Sequence, residues 1–182
     1  MSLFNTPVLE SKRLKLCPFS DRHLNEQYVQ WLNDPETVRY SENRHTSHTI
    51  ESCTRYRDRF LQGPDYFWAI EFKDSNAHIG NINAIVDLPN KVADIGIIIG
   101  ARETWGQGIG LEAWTTVMSF LEEQTDVEKI SAGTMATNLG MQRIFAKSGM
   151  KEESRRFGQF LFEGHRTDLI QVSYFTKNGA LK

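Results

Sequence analysis

Cysteine is scarce in this chain. Cys17 and Cys53 are the only two among 182 residues, and they form neither a CxxC pair nor any spacing suited to a metal. That excludes a disulfide framework and predicts a reduced, intracellular, cytoplasmic protein in which cysteine carries no chemistry. No sign of charge dominates: 21 basic and 23 acidic side chains leave a net charge of −2, so the broad positive field of a nucleic-acid binder is missing and no nucleic-acid partner is expected. Long apolar runs are absent as well. Met1 to Leu16 interleaves Asn5, Glu10, Lys12, Arg13 and Lys15 with apolar residues, unlike a signal peptide, and no later stretch reads as a membrane span, so no membrane partner is expected. The five histidines, His23, His45, His48, His78 and His165, show no ligand spacing, and no metal is assigned. Repeats, low-complexity tracts and Gly/Pro-rich linkers are also missing, and 40% hydrophobic content suffices for one core; residues 1–182 read as a single domain.

What is present is a regular alternation of element signals. Arg13 to Cys17 alternates polar and apolar side chains as a half-buried strand does. Ser20 and Asp21 offer an N-cap to a helix carrying Leu24, Tyr28, Trp31 and Leu32, which ends near Asn33-Asp34-Pro35. A long polar connection, Asp34 to His48, leads to a second helix opened by Thr49 with Ser52 and stopped by Gly63-Pro64. Three strands follow, Tyr66 to Phe72, His78 to Val86 and Val92 to Ile99, with turn-like separators that predict an antiparallel meander. Leu111, Trp114, Met118 and Leu121 then mark a helix, and Ile130, Ala132 and Thr134 a strand. Met141, Ile144 and Phe145 mark the inner face of a short helix that Gly149 closes in the left-handed conformation. Arg155 to Phe175 reads as two strands around Glu163-Gly164. The fold class expected is mixed α/β (α+β).

One segment points to chemistry. Trp105-Gly106-Gln107-Gly108-Ile109-Gly110 joins a buried strand to a long helix, so its main-chain N–H groups, up to Leu111, face outward at a helix N-terminus and suit an anion. Glycine at three alternate positions permits positive φ and lets phosphate oxygens approach the backbone, which makes a pyrophosphate the natural ligand. A tight strand-to-helix turn is the plainer explanation of the same residues. No Lys-Ser or Lys-Thr follows Gly110, which excludes a Walker loop. The spacing is not GxGxxG and comes too late for a Rossmann βα turn, leaving coenzyme A as the best candidate.

This loop resembles the pyrophosphate loop of the GNAT acetyltransferases, Gln/Arg-x-x-Gly-x-Gly/Ala, with Trp105 in the first place as in the branch similar to ribosomal-protein N-terminal acetyltransferases. Asn138-Leu139-Gly140-Met141-Gln142-Arg143-Ile144-Phe145-Ala146-Lys147-Ser148-Gly149-Met150 is similar to the family's Asn-x-x-Ser-x-x-x-Tyr-x-Lys-x-Gly-Phe. The likeness extends to Trp31-Leu32-Asn33-Asp34-Pro35-Glu36, to His78-Ile79-Gly80-Asn81-Ile82 and to the terminal strands, and so spans nearly the whole chain.

The resemblance implies a mixed sheet of about seven strands with two splayed parallel strands and four flanking helices, and an acetyl-CoA-dependent N-acetyltransferase. It implies that the backbone of Ile97, Ile98 and Ile99 meets the pantetheine arm, with a bulge at Gly96 and an N–H near Ile98 polarising the acetyl carbonyl; core packing is the plainer role for these isoleucines. Asp94, in an Ala-Asp pair where relatives carry Ala-Glu, becomes the candidate base that relieves the amine of its proton, through a water because its side chain is short; a carboxylate that only pairs with a neighbour is the alternative. Asn138 is expected to bond the pantetheine amide and cap its helix. Phe145 occupies the place of a tyrosine acid; it cannot donate a proton and is expected to pack on the pantetheine.

The Asp34–His48 connection and the Arg155–Arg166 hairpin are expected to wall the acceptor pocket, with Tyr40, Arg44, Arg155 and Arg156 as candidate substrate contacts and His45 and His48 nearby. Trp-Leu-Asn-Asp-Pro followed by Tyr40-Ser41-Glu42-Asn43-Arg44 resembles acetyltransferases of nucleotide-activated amino sugars. Acetylation of a protein N-terminus and a noncatalytic coenzyme A-binding module are the alternatives. A second copy of the chain is kept as a candidate partner.

Overall fold

The computed structural model describes residues 6–179; the first five residues of the Met1–Leu16 stretch and the last three of the single-domain span lie outside it. Strand β1 (Leu9–Glu10) and β2 (Leu14–Pro18) open the sheet. Leu14 and Leu16 are fully buried while Lys15 between them is not, and each buried leucine contributes about 2 kcal/mol over an exposed one. After β2 the chain departs from expectation. Ser20 caps only a single tight turn, Asp21–His23, and α1 (Glu26–Asn33) starts afresh at Asn25, whose side chain accepts from the Tyr28 N–H. The reason is His23. Its Nδ1 accepts from the Ser20 N–H at 2.9 Å and its Nε2 donates to the buried Glu71 at 2.8 Å, which pulls the turn into the core.

Helix α2 (Ile50–Asp58) has the Thr49/Ser52 capping box its sequence promises. Strands β3 (Tyr66–Phe72), β4 (His78–Asp87) and β5 (Val92–Ile99) form the antiparallel meander. Helix α3 (Ile109–Gln124), β6 (Lys129–Met135) and α4 (Leu139–Lys147) follow, with Gly149 at φ 81° beyond α4. Strands β7 (Lys151–Phe162) and β8 (His165–Phe175) turn at Glu163-Gly164, both with positive φ as a tight hairpin requires. Among the described residues the sheet has eight strands in the order β1-β2-β3-β4-β5-β6-β8-β7; the strand beyond the expected number is the two-residue β1. No helix among the described residues is long and apolar enough to cross a membrane.

The two sheet faces differ. Toward α3 the face is apolar, with Trp68, Ile82 and Ile95 buried and Phe120 edge-on to Tyr66 and Trp68. On the other face Asn81, Asn83 and Gly96 form a polar row, because Asn81 pairs across the strands with Ile98 and Asn83 with Gly96, and paired residues share a face. Gly96 makes no bulge: the β4–β5 register runs unbroken from Gly80↔Ile99 to Asp87↔Val92. Instead the Asn83 side chain lies over Gly96 and accepts its N–H at 3.1 Å, in space a Cβ would contest.

The only parallel contact among the described residues, β5 with β6, is short. Val92, Ala93 and Asp94 pair with Lys129, Ile130 and Ser131, and there the ladder stops, although β5 runs on to Ile99 and β6 to Met135. The strands splay into an open gap.

Candidate active site

A cavity of about 1190 Å³ fills this gap and continues over the polar face of the sheet. Single-ligand pockets commonly hold ~300–1,000 Å³, so the space suits two reactants side by side.

One end is made of main chain. Ile97, Ile98 and Ile99 line the cavity along the unpaired part of β5, and the loop Trp105–Leu111 closes it, Gln107 excepted. Gly106 and Gly108 both sit at φ 77°, which carries the chain into α3 with its N–H groups outward. The first intrahelical donation is from Glu112 to the Gly108 carbonyl, so the N–H groups of Ile109, Gly110 and Leu111 have no acceptor within the helix. Gly110, the third glycine, is not in positive φ; it is a packing residue, since a Cβ there would stand 3.2 Å from Ile144 Cδ1, whose side chain would have to shift. Gln107 turns back to donate to the Glu103 carbonyl at 2.8 Å. Trp105 lines the cavity and donates to the Ile99 carbonyl at 2.9 Å.

Arg13, far away in sequence, fixes this loop. Its guanidinium donates to the Gln107 carbonyl at 3.1 Å and pairs with Glu112 at 2.7 Å. Burial works to raise the Glu112 pKa, but hydrogen bonds from Arg13 and Ser11 outweigh it and hold the carboxyl below its usual range. Across the gap, Asn138 accepts from the Met141 N–H at 3.1 Å as the α4 cap, donates to Thr134 at 3.0 Å, and lines the cavity. Arg143 and Lys147, one helical turn apart on α4, bring two cations to this wall. Phe145 does not line it. Its ring is 3% exposed and packs on Trp114, because that side of α4 faces the core.

Asp94 sits at the last β5–β6 pair, just before the first cavity-lining residue of β5. Crowding by the protein raises its pKa, and the Ser131 hydroxyl, donating at 2.9 Å, works against that rise.

The other end is made of side chains. The Asp34–His48 connection folds tightly because Asp34 accepts from the Thr37 N–H and hydroxyl at 3.0 and 2.6 Å. Tyr40, Arg39 and His48 from this connection reach the cavity. From α2, the Tyr56 hydroxyl accepts from Asn83 Nδ2 at 2.8 Å; burial raises the phenol pKa, while that hydrogen bond lowers it. Of the arginines expected at the pocket, none lines it. Arg44 is held by the Ser41 carbonyl and Glu42 and borders a neighbouring recess of about 750 Å³. Arg155 and Arg156 lie on the edge strand β7, with Arg155 occupied by Glu152 and Asp168 at 2.9 and 3.3 Å. The hairpin meets the connection near its tip, where Phe162 stacks on Tyr40 at 5.4 Å, Glu163 pairs with Arg39 at 2.6 Å and Arg44 lies over the Phe160 ring. Arg39, Asn81, Asn83 and Tyr56 went unread in the sequence. The one available signal was Asn81 and Asn83 at alternate positions of an otherwise apolar strand, hence on one face. No group of ligating side chains among the described residues suits a metal.

Comparison with known proteins agrees with this geometry. Residues 13–151 match the family model described as an acetyltransferase (GNAT) domain. The probable N-acetyltransferase YjcK of Bacillus subtilis (strain 168) is 28% identical over 102 residues, which cover 55% of this chain and 56% of that protein's length. Among solved structures, the spermidine N-acetyltransferase of Vibrio cholerae in complex with CoA and spermine superposes with a TM-score of 0.82, 15% identity and coverage of 94% of this chain and 100% of that one. RimL, the ribosomal L7/L12 α-N-protein acetyltransferase in complex with coenzyme A, gives 0.80, 14%, 94% and 99%. The splayed strands, the amide-lined loop between them and the family match together place this chain in the GNAT acetyltransferase family, an acyltransferase enzyme.

Proposed function

We propose that this chain, acting as a single domain, transfers the acetyl group of acetyl-CoA to the primary amine of a small molecule, with a nucleotide-linked amino sugar as the first candidate, by direct attack in a ternary complex. The observation that carries the proposal is the continuity of the cavity: an unpaired strand and a helix N-terminus at one end open into a polar side-chain pocket at the other.

Acetyl-CoA would supply the activated acetyl group. The residues present fit it. The free N–H groups of Ile109, Gly110 and Leu111 suit the pyrophosphate, Arg143 and Lys147 add positive charge beside it, and the main chain of Ile97 to Ile99 offers the pantetheine arm a strand-like edge. Asn138 stands beside that arm. Asp94 would receive the amine proton through a water, its raised pKa bringing it nearer that of a useful base. Phe145 provides no acid, so the thiolate leaves without protonation from that position.

The pocket favours a hydroxyl-bearing amino sugar with an anionic nucleotide over a polycationic polyamine. Glu36, a carboxylate among its lining residues, lies 3.9 Å from Arg39, and amides and hydroxyls make up much of the rest. Thiol release from acetyl-CoA across UDP-linked amino sugars, free glucosamine, spermidine and a short peptide with a free N-terminus tests this. The fastest turnover is expected with an amino sugar. Preference for the peptide would favour the protein N-terminal alternative, and coenzyme A binding without turnover on any amine would favour a noncatalytic module. Absence of heat on titrating millimolar coenzyme A into folded protein would sink the whole proposal.

A further inference from the structure

Asn81 is 5% exposed, lines the cavity, and its Oδ1 is buried without a hydrogen-bond partner. Its neighbour on the same face, Asn83, is satisfied: Oδ1 accepts from Gly96 and Nδ2 donates to Tyr56. A buried amide oxygen with no donor is costly and uncommon, so this one calls for a donor from whatever fills the cavity. Its position says which donor. Asn81 pairs across β4–β5 with Ile98, within the stretch of β5 beyond Asp94 whose main chain is unpaired toward β6 and lines the gap. Resting on the acetyl-transfer reading, that is where the thioester and the attacking nitrogen meet.

We infer that Asn81 Oδ1 accepts one N–H of the acceptor amine and so aims the nitrogen lone pair at the acetyl carbon. When the nitrogen attacks, the N–C bond forms, the C–S bond breaks with its electron pair going to sulfur, and the amine loses one proton. A neutral carboxamide does not take that proton. Asn81 instead holds the N–H that survives in the product amide. An alcohol has no such second hydrogen, because its only O–H must be lost, so Asn81 selects nitrogen over the hydroxyls that surround it on an amino sugar. Asn81 is therefore a positioning and specificity residue, separate from the proton acceptor.

The test needs no knowledge of the natural acceptor. Three ligands are titrated into wild type, Asn81→Leu and Asn81→Asp: coenzyme A itself, coenzyme A bearing S–CH2–CO–NH–propyl, and the matched ester S–CH2–CO–O–propyl, which lacks the N–H. Wild type is expected to prefer the amide over the ester by about fivefold to tenfold. Asn81→Leu should bring that ratio to about one with coenzyme A affinity unchanged, and Asn81→Asp, which keeps an acceptor oxygen, should restore it. If Asn81→Leu does not fold, Asn81→Ala takes its place. A wild type that does not discriminate, or a leucine or alanine variant that still prefers the amide, overturns the inference. Failure of wild type to bind coenzyme A overturns the acetyl-transfer reading beneath it.

Discussion

The two ends of the cavity use different chemistry. At the β5–α3 end the surface is peptide: an unpaired strand, a loop with two left-handed glycines, and three helix N–H groups without intrahelical acceptors. At the connection–α2 end it is side chain: Tyr40, Arg39, His48, Tyr56 and the asparagines of β4, delivered by elements distant in sequence. A main-chain surface tolerates almost any side chain provided the backbone takes the right path, whereas a side-chain surface changes with each substitution. The first end is therefore built to hold a constant ligand and the second to accommodate a variable one.

Four substitutions probe this contrast. The largest effect is expected from Gly108→Val. A β-branched residue at φ 77° strains the helix entry and turns carbon toward the Arg13 guanidinium that fixes the loop, so coenzyme A affinity should fall on the order of a hundredfold by calorimetry, with the fold retained by circular dichroism. Asp94→Asn, at the last β5–β6 pair where the gap opens, should lower turnover about tenfold and leave coenzyme A affinity unchanged. Because burial raises the Asp94 pKa, wild-type kcat/KM should climb with pH through a value above the ordinary carboxylate range as the base ionises, and the asparagine variant should lose that limb; equal turnover in both would remove Asp94 from the role. Arg39→Ala should raise the acceptor KM about fivefold while sparing coenzyme A binding, since Arg39 lines the acceptor end and its Nε is buried without a partner. An equal loss of coenzyme A affinity would break the division into two ends. Smallest of all, Arg155→Ala should change every constant by less than about twofold, because its ion pairs lie on the outer strand.

A buried histidine adds a pH signature outside the cavity. Burial beside His23 pushes the His78 imidazole down to about 4, so the folded chain resists a proton that the unfolded chain accepts near pH 6.5. The contribution of His78 to stability is constant above that pH and is expected to fall by up to about 3 kcal/mol as pH drops from 6.5 to 4, as denaturant melts across that range would read.

The contrast between the ends also explains what could be read from residues alone. Strands β3 and β5 were legible to the residue, because alternation and turn separators are local signals. The loop was legible because glycine records backbone geometry directly. The start of α1 was not: a cap-like Ser20 was diverted by a histidine whose partner, Glu71, lies 48 residues further on, in β3. Arg155 and Arg156 looked like phosphate ligands because sequence does not tell which strand of a hairpin takes the sheet edge. Arg39 and Asn81 escaped notice because their significance lies in missing partners, a property of the assembled wall. Phe145 matched a motif position, yet only packing reveals that its ring turns inward to Trp114.

The three residue pairs that join β5 to β6 make a narrow seam between a five-stranded plate and a three-stranded one. A ligand that bonds to both margins serves as a surrogate strand, so occupancy should weld the two plates into one cooperative unit and raise the melting temperature in step with ligand concentration. In the empty protein, amide exchange should begin at the splayed margins around Ile97 and Thr134 and spread toward that seam.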